Sequence, residues 1–186
     1  MSKPVYLSLG SNIDRDHNIR SALDELSRLF GSLKISSVYE SEAVGFTGDA
    51  FLNLIVGIDC KLSLTELASE MKRIEDLHGR ARGGKKFASR TLDIDIVCFD
   101  RLVGTFSGIE LPRPELYYNA FVLFPMAELN PDSPDPKFHV VYRQLARNLE
   151  SDQILKPINF EWQGRWISTE SGSDYQSGYH KQTTDH

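Results

Sequence analysis

Cysteine is scarce in this sequence, histidine is scattered, and long apolar runs are missing. Only Cys60 and Cys98 occur among 186 residues, each at the end of an apolar run, which argues against a disulfide framework and predicts buried, reduced thiols. The five histidines, at positions 17, 78, 139, 180 and 186, lack zinc-ligand spacing, and no serine or cysteine nucleophile motif is present. No segment approaches the roughly 20 apolar residues of a membrane span, and the opening MSKPVYLSLGSN is too short in its apolar part for a secretory signal core. Positive charge is in the minority: 21 Lys and Arg face 26 Asp and Glu, a net charge of −5, which argues against a generic nucleic-acid binder. The expectation is a soluble, cytoplasmic protein of one domain, with neither membrane nor nucleic acid as a partner.

What is present is a regular alternation of strand and helix patterns. Residues 4–9, PVYLSL, read as a buried strand, and GSN at 10–12 supplies a turn and a helix start. Ile19, Ala22, Leu23, Leu26, Leu29 and Phe30 then keep the spacing of one helical face, which Gly31 stops. LKISSVYES (33–41) and FLNLIVGIDC (51–60) read as a strand pair around the loop VGFTGDA. Ser63 with Glu66 forms a capping box for a second helix carrying Leu64, Leu67, Met71 and Ile74, and this helix ends at Gly79. TLDIDIVCF (91–99) is the next strand, followed by a weaker run reaching IELP at 109–112.

The order is βαββαβ, which predicts an α+β, ferredoxin-like core: an antiparallel sheet with both helices against one face and the other face open to a ligand. Beyond the core, an additional C-terminal strand and helices are expected, the helices at NAFVLFPMAEL (119–129) and VVYRQLARNL (140–149). The domain is read as residues 1–160, with an extension over 161–186 that is largely disordered after about 168. Trp162 and Trp166 leave open whether residues 158–167 fold back onto the domain.

One stretch runs against the acidic background. GRARGGKKFASRTLDIDIV (79–97) places Arg80, Arg82, Lys85, Lys86 and Arg90 directly before Asp93 and Asp95. Two residues apart in a strand, the aspartates leave the same face, roughly 6.6 Å apart along the backbone. Converging carboxylates repel unless cations are present, and hard oxygen ligands favour Mg²⁺ bridging carboxylate to phosphate. A solvated polar strand face is the plain alternative. The arginine-rich loop, with Gly83 and Gly84 for backbone freedom, suits closure over phosphates. Together the two features match what nucleoside triphosphate chemistry requires, although G-x-x-x-x-G-K-[ST] is absent.

With YLSLGSN, YESEAVG, FLN, RIEDLHGRAR, ASRTLDIDIV and FVLFPMAELNP in order over roughly residues 4–150, the chain resembles the 6-hydroxymethyl-7,8-dihydropterin pyrophosphokinase (HPPK) family of folate biosynthesis. The resemblance implies an HPPK-like catalytic domain that transfers pyrophosphate from ATP, the co-substrate, to the pterin hydroxymethyl oxygen and releases AMP. It implies two Mg²⁺ at Asp93 and Asp95, and Arg80 and Arg90 at the phosphates. Arg82 and Phe87 would lie on the closing loop, with Lys72 and Glu75 flanking the nucleotide. The pterin would lie between Phe51 and Phe121, pair with Asn53, and be walled by Ser41, Ala43, Val44 and Gly45.

The chain also departs from the family pattern. Arg113 stands where a phosphate-contacting His is usual, Asn119 where Arg is common, and Phe87 where a loop Trp is common. Gly108 and Glu110 stand where basic and hydroxyl residues often meet the nucleotide. Two other readings are therefore weighed: a pterin-binding paralogue with altered or lost nucleotide use, and an RNA-binding module of the same βαββαβ order. The second fits poorly, because the strands lack the required aromatics, the protein is acidic, and paired aspartates on the binding face would repel phosphate without metal.

Overall fold

Strict alternation along β1 (Lys3–Ser11) sends Val5, Leu7 and Leu9, each fully buried, to one side of the chain and Tyr6, Ser8 and Gly10 to the other. The computed structural model in which this is seen describes residues 1–41, 50–79 and 92–171. The chain continues through α1 (Arg15–Phe30), β2 (Lys34–Ile35), β3 (Tyr39–Ser41), β4 (Phe51–Cys60), α2 (Leu64–Leu77) and β5 (Asp93–Phe99). After these come β6 (Gly104–Phe106), β7 (Ile109–Leu111), α3 (Ala120–Leu129), α4 (Tyr142–Asn148), β8 (Lys156–Pro157), β9 (Phe160–Trp162) and β10 (Arg165–Ser168).

The main sheet runs β5-β1-β4-β3-β8, with β2 also on β4, and the pairs of β1 with β4 and β5 are antiparallel. This is the ferredoxin-like order that βαββαβ predicts. Ile19, Leu23 and Leu26 of α1 and Leu67, Met71 and Ile74 of α2 meet Val5, Leu7, Leu9, Leu54, Ile94 and Ile96 in one core between helices and sheet. Helix α2 starts on the expected capping box, with Ser63 Oγ accepting from Glu66 N and Glu66 Oε1 from Ser63 N. Both cysteines are buried and free of a disulfide, and burial pushes the Cys98 thiol up to about 12. No helix among the described residues is long and apolar enough to cross a membrane.

Helices cover part of the second face of the sheet, which departs from the sequence expectation. Ile55, Val97 and Cys98 form a second core there with Val122, Leu123 and Met126 of α3 and Tyr142 and Ala146 of α4. The reason is visible in AFVLFPMAEL, which is apolar at every position but Glu128 and therefore favours burial. A bulge in β5, where Ile96 and Cys98 pair with consecutive residues of β1, brings Val97 and Cys98 to the same core. The predicted strand at 33–41 is also broken in two. Ser36 pairs with Ile55 through both its backbone N–H and its hydroxyl, which accepts from Ile55 N at 2.9 Å, so the ladder continues through a side chain.

The C-terminal segment folds back, the first of the two possibilities. Strands β9 and β10 form a hairpin whose Phe160 is 1% exposed, with the Arg20 guanidinium 4.6 Å from its ring and Trp162 Nε1 donating to Asp24 of α1. Residues 172–186 lie outside the described residues, and so does the expectation of disorder there.

Packing of β4 against Tyr6 gives a direct stability test. A Cβ added to Gly57 would lie 2.8 Å from Cε1 of Tyr6, and that ring is tethered by its hydroxyl donating to Asn130 Oδ1 at 2.9 Å. Gly57→Ala is expected to cost about 1–3 kcal/mol, the range for overpacking, read as a lower urea midpoint. An unchanged midpoint would mean that the ring yields.

Candidate active site

The antiparallel register brings the predicted residues onto shared rows across the open part of the second face. Asp93 is opposite Gly10, Gly10 opposite Asn53, and Asn53 opposite Tyr39, so one row crosses four strands. In the next row Asp95 is opposite Ser8 and Ser8 opposite Ile55. Two inter-strand spacings, about 10 Å, therefore separate the backbone of Asp93 from that of Asn53. Gly10 leaves the floor between them clear: a Cβ there would already stand 3.4 Å from Asn53 Oδ1.

Beside the aspartates, at the β5 edge of the sheet, is a cavity of about 500 Å³. Lys72, Glu75 and Asp76 line it from α2, Asp95 from β5, Ile109 from β7, and Arg113 from the turn that follows. Glu75 is 8% exposed and its Oε2 accepts from Ile94 N at 3.0 Å, so this carboxylate is anchored on the strand that carries the aspartates. Arg113 is fixed to the same strand through its N–H, which donates to Val97 O at 2.8 Å. Its guanidinium sits 2.9 Å from Glu115 Oε2 and 3.6 Å from Asp95 Oδ1.

On the other side of Gly10, Asn53 Nδ2 donates to Ser41 Oγ at 3.0 Å, and Ser41 is paired with Phe51 in the ladder. Phe121, in the first turn of α3, packs against a small core of Tyr39, Ala120 and Leu155. Arg15 clips the ends of the segment between β3 and β4, with its guanidinium 2.7 Å from Glu40 and donating to Ala50 O at 2.9 Å. The structure thus brings Asp93, Asp95, Lys72, Glu75 and Arg113 to one side and Ser41, Asn53, Phe51 and Phe121 to the other. Arg80, Arg82, Phe87 and Arg90, and Ala43, Val44 and Gly45, lie outside the described residues.

Sequence reasoning missed Glu128. From α3 it accepts from Ser37 N–H at 3.0 Å, from the Ser37 hydroxyl at 2.7 Å and from the Tyr39 hydroxyl at 2.8 Å. Burial, with this carboxylate beside it, holds the Tyr39 phenol well above its usual range, so Tyr39 remains a donor. A lone Glu at the end of an apolar helix carries no short-range signal, because its partners are about 90 residues away.

The donor set suits a hard divalent cation. Asp93 and Asp95 supply oxygen only, the Asp95 side chain is 43% exposed, and no cluster of three or more His, Cys, Asp and Glu occurs among the described residues. Two carboxylates are the share a protein gives Mg²⁺ when water and substrate phosphate supply the remaining ligands.

The family model described as 7,8-dihydro-6-hydroxymethylpterin-pyrophosphokinase (HPPK) matches residues 6–131. A protein of Aquifex aeolicus named 2-amino-4-hydroxy-6-hydroxymethyldihydropteridine pyrophosphokinase is 34% identical over 156 residues, covering 83% of this chain and 94% of that one. One of the same name from Bacillus subtilis is 37% identical over 133 residues, covering 69% and 79%. Among solved structures, wild-type HPPK-DHPS of Plasmodium falciparum superposes with a TM-score of 0.66 at 13% identity, over 90% of this chain and 49% of that one. At that identity the likeness concerns the fold, and this chain spans about half of the longer protein.

Glu128 is the residue through which α3 holds the row of Tyr39 and Asn53. Glu128→Ala removes the acceptor of three donors and is expected to lower stability by about 2–3 kcal/mol, measured by chemical denaturation. A loss under about 0.5 kcal/mol would show that water replaces the carboxylate.

Proposed function

Because this chain belongs to the 7,8-dihydro-6-hydroxymethylpterin-pyrophosphokinase family, we propose that it transfers pyrophosphate from ATP to 6-hydroxymethyl-7,8-dihydropterin, giving the pterin diphosphate and AMP, with two Mg²⁺ ions. The family makes it a pyrophosphokinase, a transferase of folate biosynthesis. The observation that carries the finer reading is the pair of rows in which Asp93 and Asp95 face the same side as Asn53, next to the cavity of Lys72, Glu75 and Arg113. The reading puts the reaction in the cytoplasm, with a pterin and a nucleotide as its small-molecule partners.

Asn53 takes the pterin edge, with its amide oriented by Ser41, and Phe51 and Phe121 take the faces of the ring. Ala43, Val44 and Gly45 complete this wall in the proposal. The nucleotide enters the cavity beside β5, where Lys72, Glu75 and Arg113 meet it, and Arg82 and Phe87 close over it. Arg80 and Arg90 hold the transferring phosphates. Magnesium bound by Asp93 and Asp95 supplies neutralisation of the polyphosphate charge. The bond from the pterin oxygen to the β-phosphorus forms as the bond from that phosphorus to the α–β bridging oxygen breaks. AMP leaves with the bridging oxygen, and the hydroxyl proton is released. Held on opposite sides of Gly10, the two substrates gain most of their reactivity from alignment.

The departures on the nucleotide side keep one other reading open to test, a pterin-binding protein that has lost efficient transfer. Titrating dihydropterin with and without a non-hydrolysable ATP analogue separates the two. The enzyme binds the pair interdependently, and the binding protein ignores the nucleotide.

Pure protein given hydroxymethyldihydropterin, ATP and Mg²⁺ is expected to form AMP. Formation of ADP instead would make it a single-phosphoryl kinase. Asp95→Ala is expected to lower kcat roughly 10²- to 10³-fold, and wild-type turnover in that variant would refute the metal assignment. Arg113→Ala is expected to raise the KM for ATP roughly ten-fold while leaving that for the pterin unchanged. The reverse pattern would move Arg113 to the pterin side.

A further inference from the structure

The chain does not leave the site at residue 131, where the family match ends. After α4 it returns along the second face to the far edge of the main sheet. On the way Gln153 Oε1 accepts from Ala120 N at 2.7 Å, and its Nε2 donates to Asn119 Oδ1 at 3.1 Å. Asn119 Oδ1 in turn accepts from Phe121 N at 2.9 Å. Two backbone amides at the start of α3, which no helical partner can satisfy, are thus held by one pair of side-chain amides. Ser151 fixes the reach, its hydroxyl donating to Gln153 Oε1 and accepting from Gln153 N.

The same segment then takes hold of the opposite wall. Leu155, 3% exposed, packs with Tyr39 and Ala120, with Phe121 against them. Strand β8 pairs with β3, placing Lys156 opposite Glu40 and Pro157 opposite Tyr39. Val38, directly before β3, has both backbone groups engaged by the C-terminal chain: Ile158 N donates to its carbonyl at 3.0 Å, and Ser168 Oγ accepts from its N–H at 2.9 Å. The outer edge of β3 is therefore covered by this chain, while its inner edge presents Ser41 to Asn53.

We propose that residues 150–158 brace the pterin side of the site, with Gln153 as a positioning residue that sets where Phe121 stands. The inference rests on the pterin reading above. Gln153 is exposed and is not among the residues assigned to substrate, so its influence passes through Asn119 and the first turn of α3. Only a side chain that both accepts and donates serves both contacts. Glutamate keeps the bond to Ala120 N and loses the one to Asn119, and alanine loses both.

The test compares full-length wild type with Gln153→Ala and Gln153→Glu in steady-state kinetics for each substrate and in amide hydrogen exchange. Gln153→Ala is expected to raise the pterin KM roughly three- to ten-fold, with the ATP KM and kcat held within about two-fold. Exchange at Ala120 and Phe121 should quicken while β1 stays protected, and Gln153→Glu should recover part of both effects. An unchanged pterin KM, or an equal rise in both KM values, overturns the proposal. A wild-type protein that makes no pterin diphosphate removes the proposed reaction and the substrate role with it. In that case unchanged exchange at Ala120 in Gln153→Ala would also remove the brace, whereas faster exchange would show that the contact holds the helix without serving a pterin site.

Discussion

The pairing register of β5 with β1 is the constraint on which the rest of the molecule depends. Ile94 and Ile96 point into the helix-covered core, which fixes Asp93 and Asp95 on the opposite side. A slip of one residue would exchange the two sets, placing two carboxylates in the core and two isoleucines in water. Each buried, unpaired carboxylate would cost several kcal/mol, so the hydrophobic effect that stabilises the domain also holds the acidic pair outward. Sheet stability and site geometry follow from one alternation.

That alternation is why much of the architecture was legible in the sequence. DIDIV, the leucine stripe of α1 and the Ser63–Glu66 box are short-range patterns, and local pattern fixes element type and face. The parts that were not legible depend on distant partners. Ser36, Ser37 and Val38 look like strand residues, yet Glu128 and Ser168, which shape this break, come from α3 and from the chain end. The covering of part of the second face by α3 and α4 could not be read from strand patterns. In the candidate site, the aspartates and Asn53 stand out in the sequence because polar groups interrupt apolar strands, whereas Gln153, the proposed brace, sits in a segment with no period at all.

Two of the departures from the family pattern have local structural reasons. Ser107 and Gly108, with φ of 51° and 78°, form the two-residue turn between β6 and β7, a conformation that favours glycine at its second position. Asn119 caps α3 and meets Gln153, a role that an arginine at this position could not fill with an acceptor. Arg113 is different. Its backbone is pinned to Val97, and its guanidinium stands between two carboxylates at the rim of the cavity, so it keeps positive charge beside Asp95.

The two halves of the site are fixed by unlike means. As an edge strand, β5 would expose unpaired backbone groups, but Glu75 Oε2 takes the N–H of Ile94 and Arg113 N–H takes the carbonyl of Val97. The cavity walls thereby complete the strand that bears the aspartates, so the carboxylate pair and the cavity share backbone hydrogen bonds. The opposite half rests on β3, three residues long, which has its own ladder to β4 on one side and the C-terminal chain on the other. A strand that short gains little stability alone. Its placement, and with it that of Ser41, the acceptor of the Asn53 amide, therefore depends on contacts made by residues more than 100 positions later in the chain. In the row of Asp93 and Asn53, Gly10 lies between the halves, on the long central strand β1, which ties them at a fixed separation. On the proposed reading, the alignment of two reactants across that glycine rests on the most extensively paired strand in the sheet, which is where pre-organisation is most rigid.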